Sequence, residues 1–302
     1  MSNLLNLNPP AYTHAKANIV ALHCSLGCGR QWSRLIESCG DEYNVIAPDL
    51  AGYGENPPRR TPRPSLLSAE AEHLHRELDA LDGPIHLVGH SFGGAVAFKL
   101  ATGARYARRI RSLTLIEPVL PGALLEHEAD SVLYDEFAGE SARICTPLWG
   151  RDKLLSLRRF LAFWNGDACW DSLSEARRAA LIERVNKLTA DFSAIFGATG
   201  VNAAARKLAV PTLLFSGGQS PAPTRRIVTR MTSGIPNARH VHLPAAGHML
   251  AITHAGEINP QILRHIAASQ AASALIVPFV ARRRTNASSG EAGHGPAAGI
   301  GF

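Results

Sequence analysis

The chain has 302 residues, 46% hydrophobic and 19% charged, with a formal net charge of +6. That length is enough to bury a core, and no apolar run nears the roughly 20 residues of a membrane-spanning helix; the longest, 274–280, contains Pro278. The arginines are scattered singly and in pairs, which excludes a nucleic-acid footprint, and the one dense run, 282–284, reads as a solvated part of the tail.

The N-terminus, MSNLLNLNPPAY, has neither the basic start nor the apolar core of a secretory signal. Cys24, Cys28, Cys39, Cys145 and Cys169 form an odd set whose spacing fits no zinc pattern. They read as reduced thiols of a cytoplasmic protein, and no metal or cofactor is expected.

Short apolar runs alternate with helix-length amphipathic segments. Strands are predicted at 19–23, 44–48, 85–89, 112–117, 212–216 and 239–243, each bounded by Gly, Pro or polar turns. Helices are predicted at 65–82, where Leu67, Ala71, Leu74, Leu78 and Leu81 share a stripe, and at 92–105, 224–233 and 257–269. Strand–helix alternation of this kind predicts an α/β fold, a mostly parallel, doubly wound sheet with helices on both faces.

One block breaks the alternation. Residues 121–206 hold no convincing strand, and 175–196 is strongly helical, with Ile182, Val185, Leu188, Phe192 and Ile195 on one face. The block reads as a helical insertion, dividing the sheet domain into 1–120 and 207–270. Its aromatic residues Trp149, Phe160, Phe163, Trp164 and Trp170 form either its own core or the wall of an apolar pocket. Beyond about Ala271 the sequence is rich in Ala, Gly, Ser and Arg, and 271–302 reads as a disordered tail.

The run Gly89-His90-Ser91-Phe92-Gly93 lies between a predicted strand and a predicted helix. A serine on so tight a bend stands clear of the sheet edge, and flanking glycines avoid collision where strand and helix cross. The Phe92 N–H, first in the helix, is free to donate to a developing oxyanion. Serine needs a base, and an imidazole titrates in the right range. Among thirteen histidines, His248 follows Gly247 in the loop after the last strand. His240 and His242 alternate along that strand and read as its outward face.

With these pieces in order, the chain resembles the α/β-hydrolase family over about residues 18–270. His23-Cys24-Ser25-Leu26-Gly27 is similar to the family's His-Gly-x-x-Gly, Pro48 to Gly54 to its D-x-x-G-x-G loop, and Ala246-Gly247-His248 to its terminal G-H loop. The helical insertion falls where the family carries its cap. The resemblance implies a serine hydrolase with Ser91 as nucleophile and His248 as base. It implies His23 as organiser of the oxyanion loop and the N–H groups of Ser25 and Phe92 as the oxyanion hole. His90, next to the nucleophile, is expected to be structural or to line the pocket, and Trp164 and Met249 are the other candidate substrate-binding residues.

The sequence departs from the family at the acid. The usual position, after the strand at 212–216, holds Ser220, and no carboxylate lies between Val210 and Glu257. Glu117, at the end of the earlier strand, is the replacement, as in certain haloalkane dehalogenases; Asp49 is the next carboxylate at a strand end. Two classes of function remain. One is a hydrolase acting on an ester or related carbonyl compound, with C–C bond hydrolysis as a variant. The other is a non-catalytic binding protein on the same fold, to which the missing acid, Cys24 in place of glycine, and the short lead-in to the first strand point. The expected partner is a small-molecule substrate, and a homodimer is left open.

Overall fold

The computed structural model describes residues 16–56 and 66–285. Strands form at the six apolar runs: β1 (Asn18–Leu22), β2 (Asn44–Ile46), β3 (Ile85–His90), β4 (Ile110–Ile116), β5 (Thr212–Gly217) and β6 (Ala238–Leu243). All pair in parallel, in the order β2-β1-β3-β4-β5-β6. Each crossover therefore needs a helix, which explains why the central strands are buried on both faces.

The two-residue period of a strand sorts side chains between two cores. Val20, Leu22, Leu87, Leu115 and Leu214 face the helix Phe92–Thr102 and the insertion. Ile19, Ala21, Val88, Leu213 and Phe215 face Trp32, Leu35, Ile258, Ile262 and Ile266 on the other side. Each fully buried aliphatic or aromatic side chain contributes about 1.5–3 kcal/mol, so register is strongly fixed. A one-residue slip would exchange the two sets. β6 is an edge strand on which His240 and His242 are exposed.

Between β4 and β5 there is no strand. Helices Ser131–Trp149, Lys153–Asn165, Glu175–Arg184, Lys187–Phe196 and Val201–Lys207 occupy the insertion. The helix expected over 175–196 is interrupted at Val185 and Asn186, both weak helix formers. That expected over 65–82 is likewise two helices, Leu67–His73 and His75–Asp79; Ser65 lies outside the described residues.

The helix beginning at Ala255 runs to Thr285, so the backbone continues in helix past Ala271, where the tail was placed. Residues 1–15, 57–65 and 286–302 and the side chains of 273–285 lie outside what is described. Among the described residues, no helix is long and apolar enough to cross a membrane.

Strand order fixes where chemistry can collect. The chain moves from β1 to β2 on one side, then returns to β3 on the other. Loops leaving the C-terminal ends of β1 and β3 therefore diverge and open a crevice. The 23–27 loop and Ser91 flank it.

Candidate active site

Ser91 is a single-residue bend between β3 and the helix Phe92–Thr102, with φ 56° and ψ −119°. A non-glycine residue there costs on the order of 1–3 kcal/mol and persists only when its surroundings hold it. Three bonds hold it: the Ser91 N–H donates to the Ile116 carbonyl (2.9 Å), and its own carbonyl accepts from Ala95 N–H (3.1 Å) and Val119 N–H (3.2 Å). The glycines are steric requirements. A Cβ on Gly93 would lie 2.4 Å from the carbonyl oxygens of Leu22 and His23, and one on Gly89 would lie 2.4 Å from the Gly93 carbonyl oxygen.

The structure brings Ser91, His248 and Glu117 together from chain positions far apart. His248 Nε2 lies 2.9 Å from Ser91 Oγ, and His248 Nδ1 lies 2.6 Å from Glu117 Oε2. All three are buried. Ionised Glu117 only accepts, so Nδ1 carries the proton and Nε2 accepts from the serine hydroxyl. The other carboxylate oxygen, Oε1, accepts from Gly217 N–H at 2.7 Å, and Glu117 itself has φ 43°. Ser220, at the family's usual acid position, is buried, and its Oγ has no hydrogen-bond partner among the described residues. Asp49 lies elsewhere, accepting from Gly29 N–H (2.7 Å) and Glu55 N–H (3.3 Å).

The loop after β1 is tied at several points. Leu50 N–H donates to His23 Nε2 (2.9 Å), so His23 Nδ1 carries the proton and donates to the Cys24 carbonyl (2.7 Å). Cys24 N–H donates to Gln31 Oε1 at 3.1 Å. The Cys24 thiol is pushed up to about 12 by burial and is inert as a nucleophile. The N–H groups of Ser25 and Phe92 donate to no protein acceptor among the described residues, and both residues line a recess of about 20 Å³ beside Ser91. That is room for about one oxygen-sized group.

His90 directly precedes the nucleophile at the end of β3. It is fully buried and does not line the main cavity, because its side chain is directed between two loops. Nε2–H donates to the His248 carbonyl (2.8 Å), and Nδ1 accepts from Gln31 Nε2 (3.1 Å). Burial, and then the neighbouring His248, lower its pKa to about 3, so it stays neutral. It links the base loop to the oxyanion loop.

The main cavity, about 390 Å³, is lined by Ser91, His248, Phe160, Leu161, Trp164 and Met249 among others. Trp164 stacks on His248, ring centroids 4.0 Å apart. The other insertion aromatics divide: Phe163 stacks on Phe137 within the cap, Trp170 lies beneath Arg158 and Arg178, and Trp149 is 75% exposed. Arg30, Arg34 and Arg177 also line the cavity, and no carboxylate does. Among the described residues, no group of three or more His, Cys, Asp or Glu side chains is placed to hold a metal ion.

A buried charged cluster beside the recess was not read from the sequence. Asp191 accepts from Ser25 Oγ and Tyr53 Oη, each at 2.5 Å, and from Lys187 Nζ at 2.6 Å; Lys187 also reaches Glu70 at 2.9 Å. Burial alone would lower the Lys187 ammonium, but the charges of Asp191 and then Glu70 outweigh it and leave it raised. The signal was available: Asp191 is three residues after Leu188 and one before Phe192, so a carboxylate sits on the helix's apolar face.

Comparison with known proteins matches residues 19–261 to the model of the alpha/beta hydrolase family. Lipase LipV of Mycobacterium tuberculosis is 36% identical over 120 residues, 39% of this chain and 44% of the lipase. A putative 2-succinyl-6-hydroxy-2,4-cyclohexadiene-1-carboxylate synthase of Haemophilus influenzae is 28% identical over 170 residues, 55% of this chain and 63% of that protein. The matched stretch thus spans less than two thirds of either relative. Among solved structures, MenH from S. aureus superposes with a TM-score of 0.69 at 22% identity, covering 86% of this chain and 97% of the other. At that identity the likeness is one of fold. With most of its length matched by the family model, and the sheet order and nucleophile bend in place, the chain belongs to the alpha/beta hydrolase family.

Proposed function

We propose that the protein is a serine hydrolase that cleaves an ester or related acyl compound through an acyl-enzyme on Ser91. The observation that carries this reading is the unbroken line of hydrogen bonds from Glu117 through His248 to Ser91 Oγ. His248 Nε2 takes the hydroxyl proton as Ser91 attacks the carbonyl, and Glu117 stabilises the imidazolium that forms. The carbonyl oxygen enters the small recess and takes hydrogen bonds from Ser25 N–H and Phe92 N–H, a contribution of about 2.7–4 kcal/mol for each strong donor. His248 then protonates the leaving group. A water, deprotonated by the same nitrogen, releases the acid and restores Ser91.

The substrate's apolar part lies against Phe160, Leu161 and Trp164. Three arginines and no carboxylate line the cavity, and all three are exposed, which favours substrates carrying a negative charge several bonds from the scissile carbonyl. The test is labelling with a fluorophosphonate probe. Wild-type protein is labelled and Ser91→Ala is not; a folded wild type that stays unlabelled rejects the hydrolase and leaves the binding protein.

A further inference from the structure

Leu26, in the oxyanion loop, has φ 61°. A bulky residue in that region is strained, and the glycine that the family places two positions earlier is here Cys24. The loop's shape must therefore be imposed by its neighbours. His23 and Gln31 fix its start. At its centre Gly27 N–H donates to the Cys24 carbonyl (3.0 Å), and the Ser25 hydroxyl donates to Asp191, which also accepts from Tyr53 Oη. Asp191 and Lys187 belong to the cap helix Lys187–Phe196, whereas Tyr53 and Glu70, which join them in the cluster, belong to the sheet domain.

We infer that Asp191 is a positioning residue that latches the oxyanion loop to the cap through Ser25, so that the oxyanion hole takes its working shape only with the cap helix docked. This builds on the reading of Ser91 as nucleophile.

The latch carries a hazard that explains Lys187. Asp191 lines the same recess as Ser25, Ser91 and Phe92. An unpaired carboxylate there would oppose negative charge developing on the substrate oxygen. Lys187, 2.6 Å from Asp191 and 5.2 Å from the Phe92 ring centre, supplies the compensating charge. Removing Lys187 alone should therefore harm turnover more than removing both charges together. A merely structural ion pair gives no such order in kcat.

The test uses the full chain, with 4-nitrophenyl butyrate as substrate and hydrogen–deuterium exchange over residues 23–28 as a readout independent of turnover. Ser25→Ala keeps the backbone N–H and removes the latch. It should lower kcat about tenfold with KM within about twofold, and speed exchange in 23–28 while β3 is unchanged. Ser25→Thr, which retains a hydroxyl, should stay within about threefold of wild type on the same scale. Lys187→Met should have a lower kcat than the Lys187→Met/Asp191→Asn double variant. Wild-type kcat and unchanged exchange in Ser25→Ala overturn the latch, and so does equal loss in Ser25→Ala and Ser25→Thr. Should the Lys187 variants fail to fold, the Ser25 pair decides alone. Should wild type turn over no ester, the exchange arm still decides the latch, while absent labelling of Ser91 marks failure of the hydrolase reading.

Discussion

The indole of Trp164 lies on the imidazole of His248, with centroids 4.0 Å apart and planes 25° from parallel. The tryptophan comes from the cap helix Lys153–Asn165 and the histidine from the loop after β6. The stack fixes the ring plane and presents an aromatic face to the imidazolium that the proposed mechanism requires, an interaction of about 0.5–2 kcal/mol. Trp164→Ala should lower kcat about tenfold, and Trp164→Phe about threefold. Steady-state kinetics on one ester checks the order; an alanine variant faster than the phenylalanine variant contradicts it.

Glu117 sets the tautomer of His248. Its replacement by Gln keeps the shape and the bond to Gly217 but removes the charge, so kcat should fall by about three to four orders of magnitude. Ser220 occupies the family's usual acid position. Adding Ser220→Asp to Glu117→Gln should restore activity about tenfold over the single variant. Turnover of Glu117→Gln near the wild-type rate would remove Glu117 from the mechanism.

Two buried histidines make stability depend on pH. Burial, chiefly, lowers His86 to about 4 and His90 to about 3. Unfolded, each binds a proton near pH 6.5; folded, each stays neutral to much lower pH. Between those values the unfolded chain holds more protons, so stability is full above about 6.5 and falls as pH drops towards 4, by at most about 1.4 kcal/mol per pH unit for each histidine. Urea midpoints at pH 7.5 and 5 measure the slope. His86→Leu should flatten it, at the cost of the bond to Ser112 Oγ.

Charge at the cavity should appear as substrate preference. Mono-4-nitrophenyl adipate and 4-nitrophenyl hexanoate have acyl chains of equal length and differ by one terminal carboxylate. The kcat/KM ratio should favour the anion about fivefold at low salt, and should fall towards one in Arg177→Gln or in about 0.5 M NaCl. A ratio below one at low salt rejects anionic preference and leaves the hydrolase reading intact.

Truncation after Gln270 should be tolerated. The last helix buries Ile258, Ile262, Ile266 and Ser269, all before the cut, and Ala271 and Ala272 are exposed. Turnover should be retained and Tm lowered by no more than about 2 °C. A larger drop in thermal melting would mean that the removed part of the helix carries core contacts.

The strands were legible because each is a short apolar run between turn residues, and the nucleophile bend because its spacing is local. His248 and Glu117 were legible only as loop residues at strand ends, a placement that follows from parallel topology. The helix breaks at Leu74 and at Val185 and Asn186 were hidden inside continuous amphipathic stripes. The place of His90 was hidden because its partners, Gln31 and the His248 carbonyl, are 59 and 158 residues away in sequence.

Sequence by itself determined the sheet, the elbow and the chemistry on offer, since hydrophobic period, glycine sterics and side-chain type act over a few residues. Tertiary structure decided which groups meet: Glu117 rather than Asp49 beside His248, Trp164 on the imidazole, and Asp191 against Ser25. The first joins two parts of the sheet domain 131 residues apart, and the other two join the cap to the sheet domain. Their free energy comes from desolvation and hydrogen-bond geometry that exist only once these parts are packed together.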